Sequence, residues 1–226
     1  GFRAKKANGK YSIDDMFDTS DGHIHYKVIE HMWAGEKCVY CGAKRDQYDR
    51  SSELESYAYE FIHTFSPEKR FFNMQFDVIV GNPPYQLSDG GYGKSAAPIY
   101  QKFVKQAMKM NPRYLSMIIP SRWFSGGRGL DEFRAEMLAD KHLRALTDYE
   151  SFKEVFPGVD LAGGACYFLW DRDHEGECQI TNVRDGKQTH ASRYLDEFPV
   201  FVRDNQAVDI IRKVRAAHPG KNLDEV

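Results

Sequence analysis

FDVIVGNPPYQ, residues 76–86, joins a run of strand-forming residues to an asparagine, two prolines and a tyrosine. Valine and isoleucine suit a pleated, packed surface. Proline fixes its own φ, has no N–H to give, and drives the residue before it out of the helical region. Pro83 and Pro84 must therefore end the strand abruptly and leave a stiff, extended turn. The stretch predicts a buried strand over 76–81 that delivers Asn82, Pro83, Pro84 and Tyr85 as one rigid group.

Downstream, strand runs alternate with amphipathic segments. PIYQKFVKQAMKM (98–110) predicts a helix with Pro98 in its first turn and Ile99, Phe103, Ala107 and Met110 on one face. RYLSMIIP (113–120) is the next strand, GLDEFRAEMLAD (129–140) the next helix and HLRALTDYE (142–150) a third strand. This order predicts an α/β fold, a mostly parallel sheet covered by helices. GGACYFLWDR (163–172) and CQITNVRD (178–185) follow with no helix between them, so the sheet is expected to end in an antiparallel hairpin. Ligands of such sheets bind beyond the carboxyl ends of the strands, where residues 82–85 would sit.

The stretch before this is different in kind. Residues 1–52 are polar, with short strand-like pieces (HIHYKVI, KCVY), and are expected to be an irregular appendage to a domain running from 53 to 226. SSELESYAYEFIHTF (51–65) predicts a helix from its serine cap position and apolar spacing. KCVYCG sets Cys38 and Cys41 two residues apart before Gly42, the form of a zinc knuckle. A structural zinc takes four ligands, and His31 is the best third candidate, with His23 or His25 among the options for the fourth. Cys166 and Cys178 fall in apolar surroundings and are expected to be core residues.

Composition excludes several classes. With 42% hydrophobic and 28% charged residues the chain reads as globular. No apolar run approaches the roughly 20 residues needed to cross a bilayer, and GFRAKKANGK lacks the apolar core of a secretion signal. A cytoplasmic protein with no membrane partner is expected. A net charge of −2 gives no global attraction to nucleic acid, so any such binding must rest on local patches.

The chemistry that suits Asn82–Tyr85 is methyl transfer to a nitrogen whose lone pair is tied up in conjugation. A rigid asparagine oxygen and a proline carbonyl can accept both N–H bonds of such an amine and aim its lone pair. A tyrosine ring can stack on a planar base flipped out of a duplex. DVIVGNPPY resembles the catalytic motif of the N6-adenine DNA methyltransferases, and SAAPIYQKFVKQAMKMNPRYLSMIIPSRWF with FPGVDLAGGACYFLW is similar to the large methylase subunits of restriction-modification systems. The resemblance implies a Rossmann-like domain using S-adenosylmethionine on double-stranded DNA, alongside a restriction or specificity subunit or domain. It implies that Asn82 and the Pro83 carbonyl bind the amine and border the donor, that Pro84 shapes the loop, and that Tyr85 stacks on the base. Lys94, Arg122 and Arg128 are candidates for DNA phosphate contacts, and Phe156 for the other face of a base sandwich.

One expected part is missing. Such enzymes hold the donor with a glycine-rich turn after the first strand, and residues 1–75 contain no strand running into G-x-G. GGYGKS (90–95) ends like a phosphate loop but has two residues between its glycines where four are needed. Together with an opening glycine in place of methionine, this leads to the expectation that the chain is the catalytic half of a longer enzyme, inactive alone, with the donor site mostly outside it. The same tetrapeptide would also suit a protein glutamine or an RNA base. A non-catalytic DNA-binding or assembly module is the third alternative.

Overall fold

A computed structural model describes residues 33–39, 42, 61–62, 76–86, 97–158, 162–198 and 200–218. The chain divides into two compact units, Gly1–Leu115 and Ser116–Val226. The boundary expected near residue 52 lies outside the described residues, as does the helix expected over 51–65 except for Phe61 and Ile62, which are helical.

The first unit holds a two-residue hairpin, β1 (Trp33–Ala34) and β2 (Lys37–Cys38), then β3 (Val78–Gly81), α1 (Tyr100–Lys109) and the start of β4 (Tyr114–Pro120). Helix α1 forms because its apolar residues recur on one face: Tyr100, Phe103, Val104 and Ala107 are buried, with Ile99 before and Met110 after. Phe103 stacks against Phe61 at 6.1 Å. Each such large side chain taken from water contributes about 1.5–3 kcal/mol. The predicted face is the observed one, although Pro98 precedes the helix, in a bridge to Gln86.

In the second unit, β4 leads into a 3-10 turn (Ser121–Phe124), α2 (Asp131–Ala139) and β5 (Leu143–Tyr149). A second 3-10 turn (Phe152–Glu154), β6 (Ala165–Asp171), β7 (Cys178–Arg184), β8 (Lys187–Arg193) and α3 (Asn205–Ala217) follow. The six-stranded sheet runs β3-β4-β6-β5-β7-β8. β5 pairs parallel with β7 and antiparallel with β6. The register puts Leu146 beside Phe168 and Ile180, and Asp148 beside Cys166 and Asn182, all buried. Trp123, Phe124, Phe133 and Phe201 fill the core as an aromatic cluster, with Phe124 and Phe201 centroids 4.5 Å apart.

The α/β sheet is as the sequence leads one to expect, and it ends in an antiparallel hairpin. That hairpin is β7–β8, one strand later than the apolar text suggests; residues 165–171 lie on the other side of β5. KQTHASR carries no run of β-forming hydrophobes, so β8 has no apolar signature. Its signal is Asp185-Gly186, both at positive φ (50° and 72°), the two-residue turn whose twist matches a hairpin.

Candidate active site

At the end of β3 the chain behaves as two adjacent prolines require. Asn82 is exposed, Pro83 buried, and Pro84 and Tyr85 half-buried. The turn is tied down on its far side, where Ile99 N–H donates to the Tyr85 carbonyl at 3.1 Å and Gln86 bridges to Pro98. The Gln101 amide donates to the Pro98 carbonyl at 3.0 Å, steadying the same corner. Because Ile99 and Tyr100 are themselves buried, the buried face of α1 anchors the turn. The outcome is an open amide side chain on a backbone held by proline φ and by a packed helix.

β3 itself departs from expectation. Val78 and Val80 are 54% and 75% exposed, while Ile79 and Gly81 are half-buried. Strand residues two apart share a face, so one whole side of this strand is open rather than buried. A valine-rich run reads alike in both situations, and only the surroundings decide.

In the second unit, Arg122 and Arg128 are both exposed on the loop between β4 and α2. Between them the chain sinks Trp123 and Phe124, 0% and 6% exposed, so these aromatics are core. Phe156 is half-buried, with its ring stacked on Phe152 at 5.1 Å. The turn at 82–85 belongs to the first unit, and Arg122, Arg128 and Phe156 to the second. Lys94 and the GGYGKS loop lie outside the described residues.

Cys38 is buried at the end of β2, and Gly42 N–H donates to its carbonyl at 2.9 Å. His31, Cys41, His23 and His25 lie outside the described residues, and no group of three metal-ligating side chains occurs among the described ones. Cys166 and Cys178 are core residues as expected, and burial pushes each thiol up to about 12. The Trp123 indole N–H donates to Cys166 Sγ at 3.4 Å. Sequence reasoning missed Asp148, Arg203 and Ser121, a polar cluster around a buried carboxylate described below. A buried carboxylate inside a strand has no local signature.

No helix among the described residues is long and apolar enough to cross a membrane. The profile of the Eco57I restriction-modification methylase family matches residues 5–156. A Mycoplasma pneumoniae protein, described as an uncharacterised adenine-specific methylase, is 34% identical over 233 residues, covering 92% of this chain and 55% of that protein. The chain thus spans about half the length of the curated relative it matches. Among solved structures, a modification subunit of a putative type I restriction enzyme from Vibrio vulnificus is 16% identical, with 64% of this chain and 32% of that one covered and a TM-score of 0.35. A type I methyltransferase subunit from Streptococcus thermophilus is 10% identical, with coverage of 66% and 33% and a TM-score of 0.34. With well over half of its residues inside the family's profile, the chain belongs to the Eco57I restriction-modification methylase family.

Proposed function

We propose that this chain carries the catalytic turn of an S-adenosylmethionine-dependent DNA adenine-N6 methyltransferase. The observation that supports it most is the exposed Asn82 amide at the tip of β3, on a backbone stiffened by Pro83 and Pro84 and pinned through Tyr85 to Ile99. The relative described as adenine-specific favours adenine over a glutamine substrate, and membership of a restriction-modification methylase family favours DNA over RNA.

In this reading Asn82 Oδ1 and the Pro83 carbonyl accept the two N–H bonds of the adenine amine. Two acceptors at fixed positions draw the nitrogen toward a pyramidal geometry and hold its lone pair on one line. They would also stabilise the positive charge that grows on the nitrogen as its bond to the methyl forms and the donor's S–CH3 bond breaks to leave a neutral thioether, until the nitrogen gives a proton to solvent. Pro83 is buried, so it contributes through its backbone, whereas Asn82 has its side chain free to reach a ligand. S-adenosylmethionine, when bound, supplies the electrophilic methyl. Tyr85 offers a ring to the flipped base, offsetting part of the stacking lost in the duplex. Arg122, Arg128 and Lys94 contact DNA phosphates, and Phe156, in the second unit, offers a ring for stacking on a base.

The donor is held mostly by residues beyond these 226. No glycine-rich turn precedes the catalytic one, and the open Val78/Val80 face of β3 offers apolar surface for a further part of the enzyme. A restriction or specificity subunit or domain is the expected protein partner, and a DNA substrate places the work in the cytoplasm. Cys38, Cys41 and His31, with a fourth ligand, hold a structural zinc; the Gly42 N–H bond to the Cys38 carbonyl supports this, and elemental analysis finding no zinc in metal-replete protein would remove it.

The test is transfer of labelled methyl by the full-length enzyme to duplex DNA, RNA and protein offered side by side. Label is expected on adenine N6 of the duplex. Label on glutamine or RNA would replace the substrate, and transfer to none of the three would leave a binding module.

A further inference from the structure

The second unit buries a charge that the reading above does not use. Asp148, on β5, is fully buried. Its carboxylate accepts from the Ser121 hydroxyl at 2.7 Å and from Nε and Nη2 of Arg203, the latter at 2.8 Å. Arg203 Nη2 also donates to the Tyr149 carbonyl at 3.2 Å. Removing such a pair from water takes back much of what their attraction supplies, so a buried ion pair is weak evidence of stability. Its better-attested use is to select one arrangement of the chain.

Several segments meet at this carboxylate. Ser121 follows β4, Asp148 lies near the end of β5, and Arg203 comes just before α3. Gly164, ahead of β6, completes the junction: its carbonyl accepts from Ser121 N–H at 3.0 Å. A Cβ at Gly164 would stand 2.1 Å from the Tyr149 carbonyl oxygen and 2.7 Å from Arg203 Nη2, so only glycine fits.

Ser121 also opens the loop that carries both exposed arginines. The Arg203 guanidinium lies 5.7 Å from the centre of the Phe124 ring, and the Phe124 carbonyl accepts from Arg134 Nε at 2.9 Å. Beyond it Gly126, Gly127, Arg128 and Gly129 all hold positive φ, at 71°, 77°, 52° and 79°. For an arginine that backbone is unfavourable and persists only where the surroundings impose it. Asp131 imposes it at the far end, accepting from Gly127 N–H at 2.9 Å. The loop is thus clamped at Ser121 and again at Gly127, with Arg122 and Arg128 projecting outward.

We propose that Asp148 and Arg203 are positioning residues: their buried pair fixes the loop 121–129 so that Arg122 and Arg128 meet DNA phosphates in a set register. This rests on the assignment of those two arginines to DNA under Proposed function. A chain that held the loop loosely would have to order it on binding and would grip the duplex less well.

The experiment measures duplex affinity against salt concentration for the full-length protein. Arg122→Ala and Arg128→Ala should each flatten the plot of log affinity against log salt by about one unit of slope. Arg203→Lys keeps the charge but cannot reproduce the forked contact with Asp148. It should weaken binding severalfold and flatten the slope although its charge is retained. Adding Arg122→Ala to it should then cost less than Arg122→Ala costs alone, because the arginine is already misplaced. Ser121→Ala, which removes only a hydroxyl, should act in the same direction and Ser121→Thr should restore it; this arm decides the matter if Arg203→Lys does not fold. Wild-type slopes in folded Arg203→Lys and Ser121→Ala, or losses that simply add, would overturn the positioning role while leaving the phosphate contacts standing. Unchanged slopes in Arg122→Ala and Arg128→Ala would instead remove the phosphate assignment on which the inference depends.

Discussion

The turn at Asn82–Tyr85 is stiffened by its own covalent structure, whereas the loop at Ser121–Gly129 is stiffened by a carboxylate 27 residues further along the chain and a guanidinium 55 beyond that. Two prolines restrict the first whatever surrounds it. The second holds its shape only while Asp148, Arg203, Gly164 and Asp131 are all in place. Local stiffness survives changes elsewhere in the fold. Stiffness made of long-range contacts does not, and the second region should lose far more than the first on substitution.

The largest loss is expected at Asp148. Asp148→Ala leaves Arg203 without its partner and should lower stability by about 3 kcal/mol, toward the smaller end for buried pairs because Arg203 is partly exposed; a urea midpoint close to wild type would contradict it. Gly164→Ala should cost about 2 kcal/mol, since the residue sits at φ 77° with a carbonyl where its methyl would go. In the first unit, Pro84→Ala should cost under about 1 kcal/mol, chiefly through a freer unfolded chain. If Pro84→Ala proved as damaging as Asp148→Ala, the distinction between the two regions would fail.

The smallest effect is silent at neutral pH. Burial raises the Cys166 and Cys178 thiols from 9.0 to about 12 in the folded protein. Below about pH 9 both states keep their protons and the contribution is constant. Between 9 and 12 the unfolded chain gives up those protons first, so stability falls as pH rises. Wild type should therefore lose stability more steeply than Cys178→Ala across that window, read from urea midpoints at each pH. Parallel curves would mean that Cys178 is not held as a buried neutral thiol.

What could be read from the sequence follows the same division. Pro83 and Pro84 announced their turn because proline acts on its own backbone. α1 was legible because Ile99, Phe103 and Ala107 repeat with the period of a helix. β8 has no hydrophobic signature, since its residues face largely outward, and its one local signal is the Asp185-Gly186 turn that the structure shows. Asp148 in LTDYE and Arg203 in FVRDN look like ordinary surface charges, and only the register of β5 against its neighbours puts the carboxylate inside. The openness of Val78 and Val80 was equally hidden, because a strand's sequence does not say which of its faces is covered.

If a rigid amide acceptor at the tip of β3 makes an adenine amine reactive, as proposed, single-turnover methyl transfer to duplex DNA by full-length Asn82→Ala should expose it. The side chain is exposed, so the variant should fold as wild type does, and saturating enzyme in a single turnover separates the chemical step from any loss of affinity. Its rate should drop about a hundredfold or more, as when one preorganised polar contact to a transition state is removed. A folded Asn82→Ala enzyme that methylates within a few-fold of the wild-type rate would contradict the account.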